Sequence, residues 1–244
     1  MNRKYAILIG ATSGIGREVA RLLVAEGWHI GIAGRREDLL RTLQAESPSQ
    51  ISIQRIDVQN KEAAEQLYHL IEQVGGMDLY LHCSGIGHQN LTLDADIELQ
   101  TLETNGTGFV RMVSAAFRYF CRQKHGHLAV ISSIAGTKGL GSAPAYSATK
   151  RFQNTYIDAL EQLAHMQKLS INFTDIRPGF VKTGLLNDGK RYPMLMDVQT
   201  TALHIVRALN RKQRIAIIDW RYRLLVWGWK LIPRWIWKRL PIRN

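Results

Sequence analysis

Short runs dominated by apolar residues recur along the chain and are bounded by glycine, serine or charged residues. Runs of this kind are typical of strands that are buried on both faces, as in a parallel sheet. The pattern predicts strands at residues 4–9, 28–33, 51–56, 78–83, 128–132, 169–176 and 214–218.

Between these runs, apolar residues recur at helical spacing. Val19, Leu22 and Leu23 share one face of a predicted helix at residues 15–25. An alternation of strands and helices predicts an α/β domain built on a parallel sheet. Similar helical patterns cover residues 61–74, 100–123, 146–167 and 198–210.

The composition fits one globular domain, because 244 residues with 45% hydrophobic and 21% charged residues can bury a full core. Cys83 and Cys121 are too few for a disulfide framework, which favours a reducing, cytoplasmic compartment. The first apolar run is too short for a signal peptide, so we interpret it as a strand. No group of residues has metal-ligand spacing, and we expect no metal site.

The formal net charge of +12 is concentrated at the carboxyl end of the chain. From residue 211 onward there are ten Lys or Arg residues and one acid, Asp219, and five of the six tryptophans lie there. We therefore divide the chain into a domain at residues 1–219 and a basic, Trp-rich helical tail at residues 220–244.

The tail predicts two short helices, at residues 220–231 and 234–240, which Pro233 separates. Its longest uncharged run, residues 224–229, is far too short to span a bilayer. Tryptophan with basic residues is typical of a helix on a membrane surface, so we expect peripheral contact with the inner face of a membrane through residues 220–243. A subunit interface or packing on the domain is the alternative. No nucleic-acid-binding motif accompanies the charge, and we expect no such partner.

Candidate chemistry lies where Tyr146 and Lys150, four residues apart on a predicted helix, share one face. A Lys ammonium beside a phenol favours the phenolate, so we expect Lys150 to lower the pKa of Tyr146 towards neutral pH. Ser133 ends an apolar run thirteen residues upstream of Tyr146. The glycine-rich segment 10–16 joins the first predicted strand to the first helix, which is the context of a dinucleotide-binding loop.

These stretches, together with the dipeptide Pro178-Gly179, resemble the short-chain dehydrogenase/reductase family over about residues 4–218, in its shorter branch with the spacing G-x3-G-x-G. The resemblance implies a Rossmann-like, doubly wound, mostly parallel seven-stranded sheet with helices on both faces. The basic and aromatic tail extends beyond this fold as a C-terminal helical extension.

The resemblance also implies four catalytic residues. Tyr146 would give or take the hydroxyl proton, and Lys150 would bind the nicotinamide ribose. Ser133 would orient the substrate oxygen. Asn105 would hold a water molecule that connects to Lys150, and its position beside two glycines inside a helical pattern is typical of a functional site.

The cofactor pyrophosphate is expected at the glycine loop. NAD-preferring relatives carry an acid at the end of the second strand, where this chain has Gly34 followed by Arg35 and Arg36. These guanidiniums, with Arg17, suit a 2′-phosphate, so NADP(H) is favoured over NAD(H) unless the arginines only begin a solvated helix. The residues expected to contact the pyrophosphate are Gly10, Thr12, Ser13, Gly14, Ile15 and Gly16.

Further cofactor contacts follow from the resemblance. His82 and Cys83 replace the two asparagines that the family usually has after the fourth strand, and we interpret both as structural. Asp57 can contact the adenine or cap the next helix. The expected contacts are Asp57 and Val58 for the adenine, Ser84 and Gly85 for backbone approach, and Pro178, Gly179, Val181 and Thr183 for the carboxamide.

Residues 184–197 mix apolar side chains with the breaks Gly189 and Pro193, which predicts a substrate lid over an apolar or lipid-like ligand. A loop packed on the surface is the alternative. Residues 136–141 are predicted to form a mobile wall of the site.

The sequence thus predicts an NADP(H)-dependent carbonyl reductase or alcohol dehydrogenase that acts on a ketone or a secondary alcohol. An NADP(H)-binding sensor or scaffold without turnover is the alternative, and the glycine spacing disfavours epimerases of the longer branch. The resemblance implies a homodimer or homotetramer.

Overall fold

The computed structural model describes residues 3–184 and 192–242. Its seven strands are β1 (Tyr5–Ile9), β2 (His29–Gly34), β3 (Ile51–Arg55), β4 (Leu79–His82), β5 (His125–Ile131), β6 (Ser170–Arg177) and β7 (Ile215–Ile217). They form one sheet in the order β3-β2-β1-β4-β5-β6-β7, and every neighbouring pair is parallel. The predicted Rossmann-like sheet is confirmed.

Each face of the sheet carries its own apolar core, because successive side chains of a strand point to opposite faces. In β1, Ala6 and Leu8 pack into one core, whereas Ile7 and Ile9 pack into the other. The helices on the first face are α1 (Gly14–Ala25), α2 (Glu37–Glu46), α7 (Val198–Asn210) and α8 (Trp220–Leu231), and those on the second are α3 (Ala63–Val74), α5 (Phe109–Gln123) and α6 (Pro144–Met166).

Residues 100–123 are helical throughout, as predicted, but they do not form one regular α-helix. Helix α4 (Ala95–Leu102) passes into a π-helical turn, Glu103–Gly108, before α5 begins. A Cβ atom at Gly108 would lie only 2.8 Å from Cγ2 of Val58, so the glycine allows this turn to approach the loop after β3. π-Helical turns of this kind are common at functional sites.

Other elements differ from prediction mainly at their ends. Strand β5 begins at His125, three residues earlier than expected, and α9 (Arg234–Trp237) ends three residues earlier. Asp57 does not cap the third helix, which begins at Ala63. Its Oδ1 atom instead accepts a hydrogen bond from the backbone N–H of Gln59 at 3.1 Å and closes a turn directly after β3.

The basic tail is part of the domain rather than a separate unit, because Tyr222 and Val226 of α8 are buried in the first core. The Tyr222 hydroxyl accepts a hydrogen bond from the backbone N–H of Phe180 at 3.0 Å. It lies 3.1 Å from the carbonyl oxygens of Pro193 and Met194, to which it can donate. The predicted division at residue 219 therefore does not separate two independent cores.

The end of the tail holds the segment that was predicted to be a mobile wall. Trp237 is buried, and its indole N–H donates to the carbonyl oxygen of Gly139 at 2.8 Å. Lys138 donates to the carbonyl oxygen of Ile232 and lies 5.3 Å from the centre of the Trp237 ring. Residues 138 and 139 are thus attached to the tail.

In the part of the chain that the structure describes, none of the helices combines the length and the apolarity needed to cross a bilayer. Both cysteines are free thiols. The same residues contain no group of three His, Cys, Asp or Glu side chains that could hold a metal ion.

The packing of the tail predicts a large loss of stability on Tyr222→Ala. Removing a fully buried aromatic ring leaves a cavity and should lower the free energy of unfolding by about 3–5 kcal/mol. Trp220→Ala on the same helix is the matched control, because Trp220 is 65% exposed and should change this value by less than about 0.5 kcal/mol. Urea unfolding followed by circular dichroism measures both, and equal effects would contradict an integrated tail.

Candidate active site

The candidate site lies at the carboxyl edge of the sheet, between β1 and β4. These strands are neighbours, while the connections after them lead to opposite sides of the sheet. Crevices at such switch points are where open α/β sheets bind ligands. Gly10 follows β1 with φ of 92°, and a Cβ atom there would lie 2.6 Å from the backbone nitrogen of Ser84. Only glycine fits both the conformation and the contact.

The start of α1 is arranged to receive an anion. A Cβ atom at Gly16 would lie 2.3 Å from the carbonyl oxygen of Gly10, so the helix begins directly against the loop. Among the described residues no side chain caps this helix at Ser13. Its first N–H groups and the positive end of its dipole remain available for the pyrophosphate that was predicted here.

A basic side chain joins the glycine loop to the end of β2. The Arg36 guanidinium donates to Oγ1 of Thr12 and to Oγ of Ser13, both at 2.7 Å. A Cβ atom at Gly34 would lie 2.6 Å from Cγ2 of Thr12, so the acid that NAD-preferring relatives carry here cannot be accommodated without moving the loop. The charge of Arg36 thus lies directly against the two hydroxyls of the glycine loop, at the end of β2.

Arg17 and Arg35, which were also predicted to bind the 2′-phosphate, donate no hydrogen bond to the side chains of the loop within residues 3–184 and 192–242. Arg17 lies 3.4 Å from Glu18, which partly neutralises its charge. Arg35 is exposed beside Arg36. Among the described residues, Arg36 is the one of these three arginines whose guanidinium donates to side chains of the glycine loop.

Lys150 is buried, and two hydrogen bonds that its ammonium donates hold it in place. It donates to the carbonyl oxygen of Ile131 and to Oε1 of Gln153, each at 3.1 Å. Burial lowers the pKa of Lys150 to about 8, while the negative charge of Asp175 opposes this shift. The ammonium lies 5.8 Å from the centre of the Tyr146 ring, so the predicted pair does share one face of α6.

The expectation that Lys150 lowers the pKa of Tyr146 is wrong for this structure. Burial raises the pKa of the phenol, and a hydrogen bond with the Ser133 side chain opposes the rise. Because the pKa of Tyr146 is raised rather than lowered, the phenol is protonated at neutral pH. The Tyr146 ring also packs on Gly87, where a Cβ atom would lie 2.6 Å from it.

Asn105 lies in the π-helical turn and is fully buried. Its amide clamps the backbone of Ile86, accepting from the N–H at 2.9 Å and donating to the carbonyl at 2.7 Å. Its Nδ2 atom lies 3.3 Å from Oγ1 of Thr149. The Asn105 side chain and the Lys150 ammonium both border Gly85, so these two predicted catalytic residues lie close together.

A second layer of polar residues behind Lys150 was not predicted. Gln153 accepts from Lys150 and donates to the carbonyl oxygen of Asn105 at 2.9 Å, which links α6 to the π-helical turn. Asp175 on β6 accepts from Asn154 at 2.9 Å and from Arg177 at 2.8 Å. Asn154 follows Lys150 by four residues on α6, and this spacing is the one sequence signal that could have indicated it.

The segment after β6 closes the other side of the crevice. The carbonyl oxygen of Pro178 accepts from the N–H of Ile134, next to Ser133, at 3.1 Å. A Cβ atom at Gly14 would lie 3.2 Å from Cγ2 of Thr183, which places Thr183 against the glycine loop. Val181 is instead buried in the first core and pairs with Met196.

The remaining predicted cofactor residues have structural contacts. Gly179 faces Tyr222, since a Cβ atom there would lie 2.1 Å from the ring. Ile15 packs on the first core and Val58 is buried in the second. Of the predicted lid, residues 185–191, with Leu185, Leu186 and Gly189, lie outside the described residues.

His82 is the last residue of β4, and Cys83 follows it, partly buried against the first core. His82 is fully buried, and its Nδ1 atom lies 3.0 Å from the Tyr80 hydroxyl. Burial lowers the pKa of His82 to about 3, with a further contribution from the charge of Lys150. Burial also raises the pKa of the Cys83 thiol well above its usual range, so this cysteine is not a reactive thiolate.

A family model described as short chain dehydrogenase matches residues 4–191. "Dehydrogenase/reductase SDR family member 7B" of Xenopus laevis is 30% identical to this chain over an alignment of 247 residues. The alignment covers 93% of this chain and 74% of the relative.

Two solved structures share the fold. "ElxO with NADP Bound" has a TM-score of 0.78 and 20% identity, and the match covers 89% of this chain and 98% of ElxO. A 3-ketoacyl-(acyl-carrier-protein) reductase from Brucella melitensis complexed with NADH has a TM-score of 0.79 and 18% identity, with 88% and 96% of the two chains covered.

Two buried histidines predict a loss of stability in mild acid. Burial lowers the pKa of His82 to about 3 and that of His127 to about 4, against an ordinary value of 6.5. Each therefore stabilises the fold above pH 6.5, and this contribution is lost as the pH falls below that value, because the unfolded state binds the proton first. Between pH 7 and pH 5 each should lower the free energy of unfolding by about 2 kcal/mol.

Urea unfolding at both pH values measures this loss. His82→Asn should remove about half of the pH dependence, whereas His125→Asn, at an exposed histidine, should leave it unchanged. An unchanged pH dependence in His82→Asn would mean that folding does not lower the pKa of His82.

Proposed function

We propose that this chain, which belongs to the short-chain dehydrogenase/reductase family, is an NADP(H)-dependent carbonyl reductase or alcohol dehydrogenase that interconverts a ketone and a secondary alcohol. The matching family model is that of a short chain dehydrogenase, and the finer assignment depends on the residues of the site. The observation that carries it is the position of the Tyr146 ring, whose centre lies 5.8 Å from the buried ammonium of Lys150.

Proton transfer is assigned to Tyr146. The Tyr146 phenol is protonated at neutral pH, so it would donate a proton to the oxygen of a ketone as that oxygen gains negative charge. The Ser133 hydroxyl lies beside the same phenol and would donate a second hydrogen bond to this oxygen. In the direction of alcohol oxidation the same phenol oxygen, once deprotonated, would accept the proton.

The cofactor is NADP(H), which supplies or accepts the hydride when it is bound. The glycine loop and the uncapped start of α1 would hold the pyrophosphate, and Lys150 would bind the nicotinamide ribose. Arg36, with the hydroxyls of Thr12 and Ser13, would hold the 2′-phosphate. Structural neighbours have been solved with NADP and with NADH, so the preference rests on Arg36 and on the missing acid at Gly34.

The substrate is apolar. Tyr192 lies in the described part of the predicted lid, and the centre of its ring is 4.8 Å from that of Phe180, which precedes the lid. Leu195 of the lid is exposed. Apolar side chains next to a few convergent polar groups are typical of a site for a largely hydrophobic ligand.

The assembly is a homodimer or homotetramer. Leu99 and Leu102 of α4 and Phe152 of α6 are exposed on neighbouring helices. Large apolar side chains exposed together are typical of a subunit interface.

Replacing Tyr146 with Phe tests the reaction. The variant lacks the proton donor and should reduce ketones at least about a hundredfold more slowly, while NADPH binding measured by fluorescence stays within about twofold. Tyr156→Phe on the same helix is the matched control and should retain full turnover. A wild-type protein that binds NADPH but reduces no ketone in a broad panel would favour a sensor instead.

Replacing Arg36 with Ala tests the cofactor. Losing a charge-assisted bond to the 2′-phosphate should weaken NADPH binding by about tenfold to a hundredfold and leave NADH binding nearly unchanged. Arg41→Ala, at an exposed residue paired with Glu37 in the same helix, is the control. Equal losses for both nucleotides would refute the role of Arg36 in recognising the phosphate.

A further inference from the structure

The outward side of α8 and α9 carries a continuous row of large apolar side chains. Trp220, Leu224, Trp227 and Leu231 follow one another at intervals of four, three and four residues, so they lie on one face of α8. Their exposed fractions are 65%, 60%, 65% and 63%, and Trp235 of α9 is 63% exposed. We call these five residues the tryptophan face.

Basic residues border the tryptophan face. Arg223 and Lys230 lie beside the row on α8, and Arg234, Lys238 and Arg239 follow on α9 and directly after it. Within residues 3–184 and 192–242, no ion pair involves any of these five cations. The one acid of the tail, Asp219, is paired with Arg221 instead. The surface is therefore apolar at its centre and positively charged at its edges.

The inward side of the same helices fixes this surface in place. Tyr222 and Val226 are buried in the first core, and Trp237 packs on Trp229 with ring centres 5.3 Å apart. The exposed tryptophans thus do not contribute to the core of this chain, since the residues of the tail that pack on the domain lie on the opposite side of the helices.

We propose that the tryptophan face docks on the surface of an anionic lipid bilayer. Indole rings favour the headgroup region, leucine side chains enter the acyl boundary, and flanking cations attract anionic headgroups. A second copy of this chain is the less favourable occupant. A two-fold interface would bring two sets of unpaired cations together.

Docking in this orientation brings the candidate active site to the membrane. The buried side of the tail holds the carbonyl of Gly139 and, through Tyr222, the segment at Phe180 and residues 193–194, which border the crevice. A ketone dissolved in the bilayer would therefore reach the site without crossing water. This consequence rests on the proposed function, whereas the docking itself does not.

Co-sedimentation with vesicles tests the docking without substrate or cofactor, so a failure of the proposed reaction would not affect the result. Full-length protein should sediment with vesicles of equal parts phosphatidylglycerol and phosphatidylcholine, and binding should fall in high salt and with pure phosphatidylcholine. The double variant Trp220→Ser/Trp227→Ser should bind these vesicles at least about tenfold more weakly than the wild type. Met166→Gln, which removes another exposed apolar side chain at the opposite end of the sheet, should bind like the wild type.

A charge variant separates the two contributions. Arg223→Gln/Lys230→Gln should weaken binding to the anionic vesicles by about tenfold, whereas Lys168→Asn, at an exposed lysine before β6, should not. Brominated lipids should quench the fluorescence of the wild type more than that of the double tryptophan variant, because five of the six tryptophans lie in the tail.

Three results would overturn the proposal. The first is a full-length protein that does not sediment with anionic vesicles at low salt. The second is an equal loss of binding in Met166→Gln and in the double tryptophan variant. The third is a change of oligomeric state in the double tryptophan variant without vesicle binding by the wild type, which would assign the face to a second copy of this chain.

Discussion

The buried ammonium of Lys150 is the constraint on which the candidate site depends. A charge removed from water must be compensated by hydrogen bonds or an opposite charge, and each compensating group here comes from a different element. The carbonyl of Ile131 comes from the end of β5, Gln153 from the next turn of α6, and the negative charge of Asp175 from β6. Holding one cation therefore also sets the positions of two strands and the long helix.

The same network reaches the less regular parts of the site. Gln153 connects Lys150 to the backbone of Asn105, and Asn105 in turn clamps Ile86 after β4. The π-helical turn is the geometry that makes both contacts possible, because it widens the helix where α4 meets α5. An asparagine and two glycines that are unfavourable in a helix are thereby explained by what they position.

The tail shows how one helix can serve two environments. Tyr222 completes the core and joins two segments that border the crevice, while Trp220 and Trp227 point away from the protein. Aromatic residues occur on both sides of α8. The outward side carries tryptophan and arginine, and the inward side carries tryptophan and tyrosine. Burial against the domain, rather than hydrophobicity alone, distinguishes the two faces.

The sequence by itself determined the class of fold and most of the residues that meet in the site. Buried parallel strands are read from short apolar runs, and glycines at fixed spacing predict a loop that only glycine can form, as the positive φ of Gly10 shows. Tyr146, Ser133, Lys150 and Asn105 were identified from spacing and family resemblance, because the chemistry restricts which residue types can occupy those positions.

Only the tertiary structure decided the electrostatics and the role of the tail. The pKa of Tyr146 depends on how deeply the phenol is buried, and spacing along a helix contains no information about burial. Gln153 and Asp175 are ordinary polar residues until packing brings them to one cation. Likewise, both sides of α8 carry aromatic residues, and only contact with the core establishes that Tyr222 is buried while Trp220 and Trp227 remain exposed.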